Sequence, residues 1–315
     1  MNFGKVQGQA RAAKTLSGLL AAERIPSALV FHGMEGTGKT LVAVEFAKTL
    51  ICRDRKGPDR PACGFCTDCL SVDRRIHPDL ALVNADYQAA LLEADAAKQK
   101  SVRVDTVRRV RRDMELSSLT GNWKVAVVED AHTLEIEAAN ALLKILEEPN
   151  PRTLWVLVTA QRERLPRTVL SRCFSVAFAP LSSVLVRRIL EDAGTDPQRA
   201  ASAAELCEGS ASRALELAAG EYPQALQAGP LAAFAAADGL PREGYLARSQ
   251  AESALFALSQ DLRLKHLSGA LPFARVERPL RELLRLRAAL RANADPRSIM
   301  ILAGLAAETA AAPLS

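Results

Sequence analysis

Aromatic residues are scarce: Phe, Tyr and Trp together make up 4% of the 315 residues. A core built around large rings is excluded, so the 49% hydrophobic fraction has to pack through Leu, Ala and Val, a composition that favours helix. No apolar run approaches the roughly 18 residues a membrane span needs, which predicts no membrane segment. The opening Met1-Asn2-Phe3-Gly4-Lys5 lacks an apolar signal-peptide core, so the expected location is cytoplasmic. There, six cysteines point to metal binding or free thiols rather than disulfides. Neither charge sign dominates: 41 Lys and Arg face 36 Asp and Glu, a net of +5. That mild excess is compatible with touching a phosphate backbone but does not demand it. Internal repeats and low-complexity tracts are also absent.

Five short apolar runs read as strands, at 28–32, 79–83, 124–129, 154–159 and 174–178. Helical patterns lie between them, among them 39–51, 102–116 and 135–147. Strands alternating with helices predict a parallel sheet covered on both faces. After Pro180 the strand signals stop, and 181–193, 197–208 and 210–219 read as three short helices. Beyond Gly220 the pattern stays helical, broken at Gly229-Pro230, at 239–241 and at 294–296. The expected fold class is therefore α/β plus all-α, in three domains: 1–179, 180–220 and 221–315.

The stretch Gly33-Met34-Glu35-Gly36-Thr37-Gly38-Lys39-Thr40 fits the phosphate-loop pattern G-x-x-x-x-G-K-[ST]. It follows an apolar strand and opens a helix, a context that a chance glycine-rich turn would lack. The residue types suit the chemistry. Gly33, Gly36 and Gly38 let backbone N–H groups wrap phosphates, Lys39 reaches the outer phosphates, and the Thr40 hydroxyl holds Mg²⁺. Downstream, Glu129 and Asp130 close the third strand. P-loop ATPases place one acid there for the metal shell and another to orient the attacking water; two merely solvated acids are the alternative. The candidate cofactors are thus ATP or ADP with Mg²⁺.

Cys52, Cys63, Cys66 and Cys69 form C-x₁₀-C-x₂-C-x₂-C within a short module, 52–69. Such spacing suits a tetrahedral structural Zn²⁺ site. A redox C-x₂-C pair is the rival, and His77 is an alternative ligand that more naturally opens the next strand segment. Cys173 and Cys207 read as half-buried thiols outside the site. The helical stretch 102–116 carries Arg103, Arg108, Arg109, Arg111 and Arg112 against an apolar seam of Val104, Val107, Val110 and Met114. A solvated basic face is the default, and contact with a nucleic-acid backbone the sharper alternative. The leucine-rich 275–291 reads as a packing helix.

Several stretches, in one order along nearly the whole chain, resemble the clamp-loader branch of AAA+ proteins. They are Gly8-Gln9 with 24–33, Val-Val-Glu-Asp-Ala-His-Thr-Leu at 127–134, and Asn-Ala-Leu-Leu-Lys-Ile-Leu-Glu-Glu-Pro at 140–149. Later ones are Leu170-Ser171-Arg172-Cys173, Gly209–Leu215 and Leu290–Arg297. The resemblance implies an AAA+ P-loop domain with an inserted zinc module, a helical lid and a helical collar. It implies that Thr159 is a polar nucleotide sensor, that Arg213 is a second sensor, and that Arg172 is an arginine finger acting on ATP held by the adjacent subunit. Implied partners are gamma/tau and delta subunits in a hetero-pentamer, the sliding clamp, and primer-template DNA. Motor subunits of the family carry Asp-Glu where this chain has Glu129-Asp130, which resembles the stator-type subunit. A base displaced by about an ångström costs on the order of 10²-fold in rate, so slow or absent hydrolysis is expected. Two alternatives stand: a gamma/tau-type motor ATPase, and a zinc-bearing DNA-binding AAA+ protein acting outside the replisome.

Overall fold

The apolar runs form β1 (Ala28–His32), β2 (Leu80–Val83), β3 (Lys124–Val128), β4 (Thr153–Thr159) and β5 (Phe174–Ala177), within about a residue of their expected ends. They make one all-parallel sheet in the order β2-β3-β4-β1-β5. This computed structural model describes residues 6–58, 60–96, 99, 101–118, 122–219, 230–241 and 244–311. Met1–Leu181 and Ser182–Ser315 are separate compact units.

In the first unit β1, β3 and β4 are buried on both faces, as a sheet wrapped by helices requires. Alternation along each strand divides the core. Leu29, Phe31, Val125, Val127, Leu154 and Val156 face α1 (Ala10–Ala21) and α2 (Lys39–Ile51). Val30, Ala126, Val128, Trp155 and Leu157 face α5 (Val104–Glu115) and α6 (Ile136–Glu147). Two short helices, α3 (Thr67–Asp73) and α4 (Ala85–Leu92), flank β2, and α7 (Arg167–Leu170) leads into β5. The helix expected from residue 102 starts at Val104 because Val102 bridges to Leu134, exchanging backbone hydrogen bonds with Thr133 and Glu135. Of the arginines on this helix, Arg108, Arg109 and Arg111 pair with Asp105, Asp113 and Glu115 three or four residues away. That is the ion-paired, solvated face of an amphipathic helix.

The second unit holds α8 (Ser183–Asp192), α9 (Pro197–Leu206) and α10 (Ala211–Ala219), each ending close to where the pattern predicts. It also holds α11 (Pro230–Asp238), α12 (Gly244–Leu267), α13 (Phe273–Arg291) and α14 (Pro296–Ala311), whose core is almost all Ala, Leu, Ile, Val and Met. The expected domain boundary at 220/221 and the break at Gly229 lie outside the described residues, as does the N-terminal stretch 1–5. No described helix is long and apolar enough to cross a membrane.

Candidate phosphate and metal sites

β1 runs directly into the loop 33–38, and the loop into α2. Gly33 has φ 144°, and a Cβ there would lie 2.3 Å from the Phe178 carbonyl oxygen. Gly38, at φ 87° in the left-handed region, caps α2 where an L side chain would be strained. Lys39 is the first residue of the helix and is buried; its Nζ donates to the Gly33 and Met34 carbonyls at 2.9 and 2.6 Å. Burial draws its pKa below the ordinary lysine value, against Glu35 and Asp130, which favour the charge. A partly desolvated ammonium whose hydrogen bonds, among the described residues, go to loop carbonyls is poised to exchange them for phosphate oxygens. Thr40, next along the helix, lies close enough to Glu129, just past the end of β3, to favour its ionised form. Burial pushes the Glu129 carboxyl up, Asp130 adds to the rise, and Thr40, Arg75 and Asn84 oppose it. A cation brought to this desolvated carboxylate would offset that cost, so the donor set fits Mg²⁺ together with a nucleotide. Thr159 ends β4 in register with His32, fully buried, its Oγ1 accepting from the Gln161 N–H at 3.0 Å.

Gly33, Gly36, Gly38, Lys39, Thr40, Glu129, Asp130 and Thr159 therefore gather at the C-terminal ends of the parallel strands, where open α/β sheets bind ligands. Arg172 does not join them. It precedes β5, whose first residue Phe174 pairs with Leu29 near the start of β1, so it lies at the opposite pole of the sheet. There its guanidinium donates to Glu147 Oε1 at 2.7 Å and to the Thr168 carbonyl at 3.0 Å. Arg213 belongs to the second unit, its guanidinium 3.9 Å from the centroid of the Phe256 ring.

One positioning residue escaped sequence reasoning. Gln9 is buried, and its Nε2 donates to the Thr37 and Ala179 carbonyls at 3.1 and 2.8 Å while its Oε1 accepts from the Ala179 N–H. It ties the chain before α1 to both the phosphate loop and the exit of β5. Its only sequence signal was the Gly8-Gln9 pair; nothing local reveals partners 28 and 170 residues away.

The four cysteines converge as their spacing predicts. The Sγ atoms of Cys52, Cys63, Cys66 and Cys69 all lie within 4.8 Å of one another. Cys52–Cys66 and Cys63–Cys69 are 3.9 and 3.8 Å apart. A tetrahedron with metal–sulfur bonds of about 2.3 Å has edges of about 3.8 Å, so the set fits Zn²⁺. Backbone N–H groups of Cys63, Cys66 and Cys69 point at sulfurs; against burial, such bonds bring Cys63 down to about 7, whereas burial in the metal-free cluster lifts Cys52 and Cys69, a cost that a bound cation would offset. His77 is not a fifth member. Its Nδ1 accepts from the Asp79 N–H and its Nε2 faces Asp68 at 3.6 Å. Asp68 is buried and held below the ordinary carboxylate range by a two-pronged hydrogen bond from Arg53, at 2.7 and 2.8 Å. Of the two remaining cysteines, Cys207 is fully buried rather than half-buried, its thiol donating to the Ala204 carbonyl. Burial alone lifts Cys173 to about 11, an unreactive thiol.

The chain is 31% identical over 192 residues to DNA polymerase III subunit delta' of Bacillus subtilis, covering 61% of this chain and 54% of that protein. It is 33% identical over 181 residues to subunit tau of the same organism, covering 58% of this chain and 30% of tau. The chain thus spans about half the length of the first relative and under a third of the second. In fold it is similar to a DNA polymerase III gamma subunit-related protein from Thermotoga maritima, with a TM-score of 0.58 at 16% identity, covering 95% of this chain and 99% of that one. The architecture is that of an AAA+ P-loop domain followed by a helical C-terminal part. Residues 8–182, more than half of the 315, match the family described as DNA polymerase III, delta subunit, and the chain belongs to that family.

Proposed function

We propose that this chain is a delta-prime-type stator of a bacterial DNA polymerase III clamp loader, a cytoplasmic subunit that helps load the sliding clamp onto primed DNA. The observation that carries this reading is Arg172. It is exposed, at the pole of the sheet opposite its own phosphate loop, and anchored by surface groups alone. A guanidinium so placed has no route to phosphates held by Lys39 of the same chain, but is available to a nucleotide on a neighbour. In this reading residues 1–179 are the P-loop domain, 180–220 the lid and 221–315 the collar that joins gamma/tau and delta subunits in a hetero-pentamer. Zn²⁺ on the four cysteines is structural, and Thr159 and Arg213 are the two nucleotide sensors. Mg-ATP or Mg-ADP binds at 33–40, and the Glu129-Asp130 order makes hydrolysis slow.

A gamma/tau-type motor is the second reading, favoured by the intact Lys39 loop and the Thr40–Glu129 contact. ATPase measurement on the purified chain separates the two. Turnover near 1 s⁻¹, at the low end of ordinary enzymes, would assign the motor role.

The trans role is tested by reconstitution with gamma/tau, delta, clamp and primed DNA. Arg172→Ala should leave assembly intact and lower DNA- and clamp-stimulated ATPase by about 10³-fold at any site that depends on it. Loss of the Glu147 pair costs an exposed ion pair's stability, about 0–1 kcal/mol. Normal ATPase and clamp loading in a correctly assembled Arg172→Ala complex would remove the role.

A further inference from the structure

Gln9 is the N-cap residue of α1, yet its side chain makes no capping hydrogen bond among the described residues. Ser, Thr, Asp or Asn is the usual choice there, because a short side-chain oxygen reaches the free N–H groups of the first turn. Gln9 instead directs its amide into the protein, where the residue is 5% exposed. The partners fix the amide's orientation. Only an NH₂ group can meet the carbonyls of both Thr37 and Ala179, which leaves the oxygen for the Ala179 N–H. β5 ends at Ala177, paired with His32, and the Phe178 N–H still donates to the His32 carbonyl at 2.8 Å. Beyond that point Gln9 takes the place of a neighbouring strand by holding both backbone groups of Ala179. Shortly afterwards, at Ser182, the chain passes into the second unit. A second line of bonds runs from the same amide toward Lys39. The Thr37 carbonyl accepts from Gln9 Nε2, and the Thr37 hydroxyl donates to the Met34 carbonyl at 2.8 Å. That carbonyl also accepts from Lys39 Nζ. Thr37 is buried, so water does not compete for its two polar groups.

We propose that Gln9 is a positioning residue that couples phosphate binding in the loop 33–40 to the segment 178–181, so that an occupied loop holds the exit from the first unit more firmly than an empty one. The proposal rests on the nucleotide reading above. When phosphate oxygens take the Lys39 ammonium, the Met34 carbonyl loses one of these two donors, and the loop N–H groups turn to the phosphates. Both changes bear on the Thr37 peptide, whose carbonyl is fixed once the loop is wrapped around its ligand. Gln9 passes that restraint to Ala179 because its two N–H groups belong to one planar amide. Coupling is reciprocal: an exit that is loosened must in turn weaken nucleotide binding, and through the same residue.

Calorimetric titration of the full chain with Mg-ADP, in a double-mutant cycle of Gln9→Leu and Pro180→Gly, tests this. Leucine keeps most of the glutamine volume and none of its hydrogen bonds. Pro180 is exposed, so glycine there frees the exit without opening a cavity. Gln9→Leu should weaken Mg-ADP binding about tenfold, the scale of one hydrogen bond, and Pro180→Gly about threefold. The double variant should bind no more weakly than Gln9→Leu alone, since the path from exit to loop is already cut. Losses that multiply would make Gln9 a local support of the loop and overturn the coupling. So would an affinity unchanged by either single variant; if Lys39→Ala still weakens binding, the loop reading survives that result. A wild type that binds no nucleotide removes both readings. Amide exchange on the wild type is independent of how any variant folds. Saturating Mg-ADP should slow exchange at Ala179 and Leu181 about tenfold relative to the amides of α7, and an unchanged ratio overturns the proposal.

Discussion

Gly33 and Gly38 flank one loop, yet substitution should affect them differently. At Gly33 a methyl group meets the backbone carbonyl oxygen of Phe178, just past β5, at 2.3 Å, and backbone cannot rotate aside. At Gly38 nothing lies within 4 Å, and only the left-handed φ of 87° resists. Gly38→Ala should therefore cost about 1–2 kcal/mol, the strain of one residue in that region. Gly33→Ala should exceed it, by displacing Phe178 and the loop together. Chemical denaturation of both variants checks the order, and equal costs would mean the loop relaxes freely. Glu129 offers a second test. Its folded pKa is raised, so ionising it costs stability as pH rises through the folded value, and the cost persists above it. Glu129→Gln should thus raise the melting temperature of the nucleotide-free protein at pH 7. The gain should vanish below the ordinary glutamate pKa of about 4.3, where both states are protonated. A melting temperature that is unchanged at pH 7 would show that Thr40, Arg75 and Asn84 fully offset the cost of burial.

At the scale of elements, the cysteine module is held from two sides. Lys48 of α2 is buried and bonds Glu45 at 2.8 Å and Asp73 of α3 at 2.9 Å. Arg53, next to Cys52, clamps Asp68, next to Cys69. Purified protein should carry about one Zn²⁺, and a strong chelator should loosen residues 52–69 while α2 stays protected by the sheet, because a structural Zn²⁺ site supplies on the order of 10 kcal/mol of local folding energy. Amide exchange with and without chelator reads this directly; unchanged protection of the module would mean the ion pairs suffice without metal. The strands and major helices were readable from hydrophobic period, and the cysteine set from spacing alone. The clamp of Arg53 on Asp68 was not, since an exposed-looking Asp in a C-x₂-C segment carries no mark of burial. Nor did any pattern locate the start of α5, where a bridge to Leu134 competes with the first helical turn.

At the scale of the molecule, two units with separate cores predict separable folding. A fragment ending at residue 181 contains the whole sheet, both of its helical coverings and the cysteine module. It should fold cooperatively, bind Zn²⁺ and retain any nucleotide affinity that depends on Lys39 and Thr40 alone. Circular dichroism and thermal melting of the fragment check this, and a non-cooperative melt would show that the helical unit is needed to complete the first.

The sequence by itself determined the alternation of strands and helices, the phosphate loop, the cysteine quartet and the family. Each of these is written in local spacing, in residues whose period or chemistry is fixed over a few turns of chain. Tertiary structure alone decided which end of the sheet each charged residue occupies. Because every strand runs the same way, Lys39 and Thr159, which leave strand ends, meet at one pole, while Arg172, which enters a strand, is carried to the other. That separation depends on strand direction and order, properties of the assembled sheet that no single segment contains.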